Sequence, residues 1–201
     1  MKSQIILIMK TQIEIALKIF ALFTIVLGVV YPLFITGIAQ LAFPFQANGS
    51  LIRQGDKVIG SELIGQKFDS VTYFSSRPSA IEYNPMPSGG SNLGPTSSKL
   101  KQLVADRKAQ WIKSNLLSDS DAIPSEMIFA SASGLDPHIS PKAALMQVER
   151  IVKARQFDSD KKEQLLKSIA KLTEGPQFTF LGEERINVLR LNLQLDQLAN
   201  H

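Results

Sequence analysis

Two stretches of this 201-residue chain hold residue types that could do chemistry. The first, Ser88-Gly-Gly-Ser-Asn-Leu-Gly-Pro95, packs three glycines and two serines into eight residues. Glycine-rich turns can cradle phosphate on backbone N–H groups. A Walker-type loop also needs a preceding strand, a lysine that reaches the phosphates, and a helix whose free N–H groups point back at the anion. No Lys-Ser/Thr pair follows Gly90, and a helix starting near Thr96 leaves room only for weak anion binding. The plainer reading is a turn in which the glycines take positive φ and Asn92 bonds locally.

The second stretch is Ser131-Ala-Ser-Gly-Leu-Asp-Pro-His-Ile-Ser-Pro141, where Ser, Asp136 and His138 lie together. They raise the alternative of a membrane-anchored extracytoplasmic hydrolase using Asp136, His138 and a serine. Triad partners normally converge from separate elements, however, and no G-x-S-x-G elbow is present. A structural account covers the same residues: Gly134 turns the chain, Asp136 precedes Pro137 in an extended or turn conformation, and Ser140 caps the next helix. His138 and His201 are the only histidines and cysteine is absent, so no metal site and no disulfide framework is expected.

The elements that must position these residues begin with an apolar run. No charged residue occurs from Ile19 to Ile52, and about 20 apolar residues suffice for a helix to cross the ~30 Å hydrocarbon core. The span is placed at residues 13–34, with Gly37 to Phe43 at the far interface, Gly28 and Gly37 open to another helix, and Tyr31-Pro32 bending it. Glu14 and Lys18, four apart, form a helix pair. Lys2, Lys10 and Lys18 precede the run, whereas Arg53 and Lys57 lie well past it. The positive-inside rule then puts residues 1–12 in the cytoplasm and residues 35–201 outside, in a single extracytoplasmic domain. A cleaved signal with Gly37-Ile38-Ala39 as its cleavage pattern is the rival, but the run exceeds the ~7 to 15 apolar residues of a signal core. The formal charge of +4 divides into +2 from the first 18 residues and +2 from the rest. So small and scattered an excess excludes a nucleic-acid surface.

Beyond the anchor the sequence predicts an α+β fold of short strands and several helices. Ser50–Arg53, Lys57–Gly60 and Val71–Ser75 read as strands, the first two joined as a hairpin at Gln54-Gly55-Asp56. Four prolines and three glycines make residues 77–95 an ordered loop. A helix capped by Thr96 or Ser97 reaches about Leu116, with Leu100, Leu103, Val104, Arg107 and Trp111 on one side. Another starts at Ser140-Pro141, turning Leu145, Val148, Ile151 and Val152 inward and Lys142, Arg150 and Lys153 mostly outward. A third, Asp160 to Leu172, opens with Asp160-x-x-Glu163 as a capping box and buries Leu165, Leu166, Ile169 and Leu172. The tail, residues 185–198, reads as a short strand turning into a helix.

Taken together, "GVVYPLFITGIAQLAFPFQANGSLI", "GSELIGQKF", "YFSSRPSAIEYNP", "SGGSNLGP", "SASGLDPHISPKAALMQVERI" and "FLGEERINVLRLNLQLD" resemble the small C subunit of the bacterial Kdp-type high-affinity potassium-transporting ATPases. The resemblance covers Gly28 to Asp196. It implies a noncatalytic accessory subunit in the inner membrane. Its partners would be a channel-like potassium-binding subunit, a P-type ATPase subunit working through an aspartyl phosphate, and the lipid bilayer. It further implies a catalytic chaperone that raises the ATP affinity of the pump subunit, with ATP as the complex's cofactor and Gln147, Ser88, Gly89 and Gly90 as contacts. The topology argues otherwise, because a domain outside the cell does not meet cytoplasmic ATP. On that reading Gln147 is a polar residue on the exposed side of its helix, and the domain steadies the complex and shapes the external potassium entrance.

Overall fold

The computed structural model describes residues 2–200; Met1 lies outside them, as does His201, one of the two histidines weighed above. The fold is α+β and divides into two compact units, Met1–Ser50 and Leu51–His201.

The first unit is helical. Helix α1 (Lys2–Ile25) passes through a π-helical turn at Val26–Val30 into α2 (Tyr31–Ala42), followed by the short α3 (Pro44–Ala47). Pro32 accounts for the turn: it has no N–H to give the Gly28 carbonyl four residues back, and its ring crowds that carbonyl, so the local register widens. Met9–Ala42, 34 residues, is long and apolar enough to cross a membrane, and it outruns the expected 13–34 at both ends. Its large side chains are exposed, Phe20 at 71% and Leu33 at 67% among them. Within it, Lys18 donates to Glu14 at 2.6 Å, the pair expected from their spacing.

The second unit opens with the hairpin of β1 (Leu51–Gln54) and β2 (Lys57–Ser61). They pair antiparallel from Leu51↔Ser61 to Gln54↔Lys57, with an irregularity at Ile52/Arg53. Gly55 holds φ +60° at the first turn position, a conformation that two-residue hairpins demand and glycine supplies without strain. Residues 62–97 form no regular element. Helix α4 (Ser98–Asn115) starts where the Ser97 hydroxyl accepts the Leu100 N–H, and its partly covered side is the expected one, from Leu100 to Trp111. Then come β3 (His138–Ile139), α5 (Pro141–Leu145), α6 (Val148–Arg155), α7 (Ser159–Leu172), β4 (Ile186–Asn187) and α8 (Val188–Asn200). Strand β4 pairs antiparallel with β3 and runs straight into α8, so the strand-then-helix reading of the tail holds.

One core unites this unit. Phe74, Ile139, Ala143, Ala144, Val148, Ile151, Leu165, Ile169, Ile186, Leu191 and Leu195 are buried together, with Trp111 and Met127 at the edge. Each full-sized side chain contributes about 1.5–3 kcal/mol by leaving water.

Several expectations need correction. Residues 71–75 form no strand, for a reason given below. Leu145 and Leu166 are 48% and 37% exposed rather than buried, because nothing among the described residues covers the outer side of α5 and α7. Arg150, expected outward, is 6% exposed, and Gln147 is fully buried. The cap of α7 is Asp158, which accepts the Lys161 N–H at 2.8 Å, so Asp160 lies inside the first turn and the capping box does not form.

Candidate functional site

Gln147 sits at the junction of α5 and α6, where the helix tightens: its N–H bonds to the Ala144 carbonyl, three residues back. The Ala143 carbonyl, bypassed by the backbone, accepts the Gln147 side-chain amide instead, at 3.2 Å. That amide also donates to the Ser75 carbonyl at 3.3 Å, and its oxygen accepts the Ser75 N–H at 2.7 Å and Arg150 Nη2 at 2.8 Å. A glutamine amide has two N–H groups and two oxygen lone pairs. All of them are engaged, and because both partners of the oxygen are donors, the orientation of the amide is fixed.

Asn192 of α8 repeats the arrangement one residue earlier. Its Oδ1 accepts the Phe74 N–H at 2.8 Å and its Nδ2 donates to the Phe74 carbonyl at 3.0 Å. Arg150 donates to the carbonyls of Tyr73 (3.0 Å) and Val71, and through Nε to Asn115 Oδ1 at 2.9 Å. Arg155 donates to the Thr72 carbonyl and to Asp196, both at 2.8 Å, and lies 4.7 Å over the Tyr73 ring. Residues 71–75 are therefore clamped by Gln147 and by side chains of α6 and α8 in place of a neighbouring strand, and residues 71–73 turn, with the Tyr73 N–H on the Ser70 carbonyl at 3.1 Å; together these keep the β-type sequence from forming a strand. Burial lowers the Arg150 guanidinium from its ordinary 12.5 to about 10, which leaves it charged at neutral pH.

Beyond the clamp the chain enters the glycine-rich loop. The Gly89 N–H donates to the Ser133 carbonyl at 3.1 Å. A Cβ on Gly90 would come 3.1 Å from the Ala132 carbonyl oxygen, and one on Gly134 would come 2.5 Å from Ile81 and 3.0 Å from the Gly89 carbonyl oxygen. In these loops positive φ falls on Glu82 (+53°), Tyr83 (+62°), Asn92 (+51°) and Gly134 (+71°), not on Gly89, Gly90 or Gly94. Gly90 and Gly134 thus let one loop lie against the other, while a Cβ on Gly89 would meet open space, and Ser88 is exposed beside it. No hydrogen bond joins Gln147 to these three residues; the Gln147 side chain bonds to residues 75, 143 and 150.

The Asp136–His138 pair belongs to the same packing. Arg77 Nη1 donates to Asp136 Oδ2 at 2.6 Å, while Oδ1 accepts the His138 N–H at 3.0 Å. His138 Nδ1 is 3.7 Å from that oxygen, too far for the bond that orients a triad histidine. The Ser140 hydroxyl caps α5 by accepting the Ala143 N–H at 3.1 Å. Burial alone would raise the Asp136 carboxyl, but hydrogen bonds from His138 and Arg77 outweigh it and hold it down at about 2. Tyr83 donates its hydroxyl to the Arg77 carbonyl, and burial pushes it up to about 12. The hydrolase alternative finds no support in this geometry. Among the described residues no group of three His, Asp or Glu side chains converges as a metal site.

Sequence reasoning located Gln147 only by resemblance and missed Arg150, Arg155 and Asn192. Their signal was available in part: polar residues on the inward side of otherwise apolar helices need internal partners.

Comparison with known proteins agrees with the resemblance. Residues 13–197 match the family model described as KdpC, K+-transporting ATPase, c chain. The chain is 46% identical over 191 residues to the potassium-transporting ATPase KdpC subunit of Polynucleobacter asymbioticus, covering 94% of this chain and 99% of that one. It is 47% identical to the KdpC subunit of Geotalea uraniireducens (94% and 98% covered) and 46% identical to that of Escherichia coli O157:H7 (91% and 96% covered). With its apolar N-terminal helix and its clamped α+β domain, the chain belongs to the KdpC family of potassium-transporting ATPase subunits.

Proposed function

We propose that this chain is a noncatalytic, single-pass accessory subunit of an ATP-driven potassium uptake complex of the inner membrane. Its N-terminus lies in the cytoplasm and its domain outside, beside a channel-like potassium-binding subunit and a P-type ATPase subunit. The domain stabilises the assembly and helps shape the external potassium entrance. The observation that carries this reading is the saturation of Gln147: a fully buried side chain with every donor and acceptor engaged inside its own domain acts as a structural brace.

ATP is, on this reading, the cofactor of the complex and is held by the pump subunit. Any gain in the pump's ATP affinity is exerted through subunit contacts, not through nucleotide held by Gln147, Ser88, Gly89 and Gly90. Purification of the tagged full chain from membranes tests the proposal. The channel-like and ATPase subunits should co-purify, and potassium-stimulated ATP hydrolysis should fall when the chain is removed. Binding of labelled ATP by the full chain alone, lost on Gln147→Ala in a variant of unchanged melting temperature, would overturn it.

A further inference from the structure

Leu145 and Leu166, whose spacing marks them for a core, line a groove of about 320 Å³ with Pro141, Ile169, Ala170 and Thr173. Glu184 lines it as well. Residues 174–185 follow the lining residue Thr173 as a β-type excursion, with Glu174 bridged to Arg185 at its base and Gln177 to Leu181 near its tip. The tip is ordered by its own backbone: Gln177 and Leu181 exchange both N–H···O bonds at 2.9 Å, and Thr179 N–H bonds to the Pro176 carbonyl at 3.1 Å. Phe178 and Thr179 hold φ of +52° and +70°, a region that costs side-chain-bearing residues energy. This tip displays Phe178 at 79%, Phe180 at 75% and Leu181 at 50% exposure.

Single exposed apolar residues need no explanation, but an ordered tip with three of them beside an uncovered groove marks an interaction surface. Its charge narrows the partner. Glu183 and Glu184 are exposed and make no ion pair among the described residues, while Arg185 is taken by Glu174. Carboxylates at the rim repel an anionic lipid surface. A two-fold contact with a second copy would place this same carboxylate-bearing patch on both sides of the interface.

We infer that the α5–α7 groove and the Phe178–Leu181 tip form a docking surface for another subunit of the potassium-transporting ATPase, through an apolar segment flanked by lysine or arginine that meets Glu183 and Glu184. The inference rests on the accessory-subunit reading.

The test places p-benzoylphenylalanine at position 145, 178 or 180 of the full chain and irradiates the assembled membrane complex. Mass identification should find adducts with one other subunit from all three positions and none from position 108 on α4. Replacing Glu183 and Glu184 together by Lys should reduce the adduct yield several-fold. Adducts with lipid or with a second copy of this chain, or no adduct in a complex that still co-purifies, would overturn the docking surface and leave the accessory-subunit reading intact. Failure of the unsubstituted chain to co-purify would overturn both.

Discussion

Gln147 pairs with Ser75 as a neighbouring strand would, accepting its N–H at 2.7 Å and donating to its carbonyl at 3.3 Å. Asn192 does the same for Phe74. The amide at the α5–α6 junction and one from α8 thereby replace a strand for Phe74 and Ser75, whose backbone groups would otherwise lose their partners as Phe74 is buried. The loop that begins at Arg77 starts from this fixed anchor.

Replacing Gln147 by Leu preserves bulk and removes all four bonds. The half-buried Ser75 N–H and carbonyl are left without their protein partners, at about 1–2 kcal/mol each. We expect Gln147→Leu to lower unfolding stability by about 2–4 kcal/mol, measured by chemical denaturation of the detergent-solubilised chain. Unchanged stability would mean that the amide serves something other than the fold.

Asn192→Leu should destabilise by about 2 kcal/mol through the same mechanism at Phe74. Because the two amides hold adjacent residues, the double variant should lose less than the sum of the singles, with a coupling of about 0.5–3 kcal/mol. Strict additivity in a double-mutant cycle would show that the two sites act independently.

These bonds mark the limit of what could be read from sequence. The long apolar N-terminal helix, the Gly55-Asp56 hairpin, the Ser97 and Ser140 caps and the β4-to-α8 tail were legible because local chemistry decides them. Apolar length, turn residues and capping hydroxyls each act within a few positions. Residues 71–75 have strand composition, but their partners lie 72 to 118 positions away and are side chains, so no local pattern could show them. Leu145 and Leu166 failed for the opposite reason: helical periodicity says which face is apolar, and not whether this chain or another covers it.

Asp136 supplies a pH signature. Its folded value of about 2 lies below the ordinary 3.8, so the ionised form stabilises the fold. That contribution, about 1 kcal/mol after allowance for solvent screening, is full above about pH 4 and is lost as pH falls through about 2. Relative to Asp136→Asn, the natural chain should be more stable at pH 6 and lose that advantage on acidification. A pH-independent difference, read from melting temperatures, would remove Asp136 as the cause.

Gly134→Ala introduces a side chain at φ +71° and a Cβ 3.0 Å from the Gly89 carbonyl oxygen. The strain and the crowding together should cost about 1–3 kcal/mol. Gly90→Ala, with a normal φ and a 3.1 Å approach to the Ala132 carbonyl oxygen, should cost less. Thermal unfolding of both variants checks the order, and equal losses would contradict the account of the loop contact.

The compartment of the domain decides most directly between a brace outside the membrane and a subunit that handles nucleotide. The chain contains no cysteine, so single thiols report cleanly. Lys108→Cys on α4, Lys153→Cys on α6 and Lys10→Cys at the start of the span place one thiol each at an exposed position. In intact cells a membrane-impermeant maleimide should label positions 108 and 153, and position 10 only after the inner membrane is permeabilised. Labelling of position 10 alone in intact cells would put the domain in the cytoplasm and contradict the account.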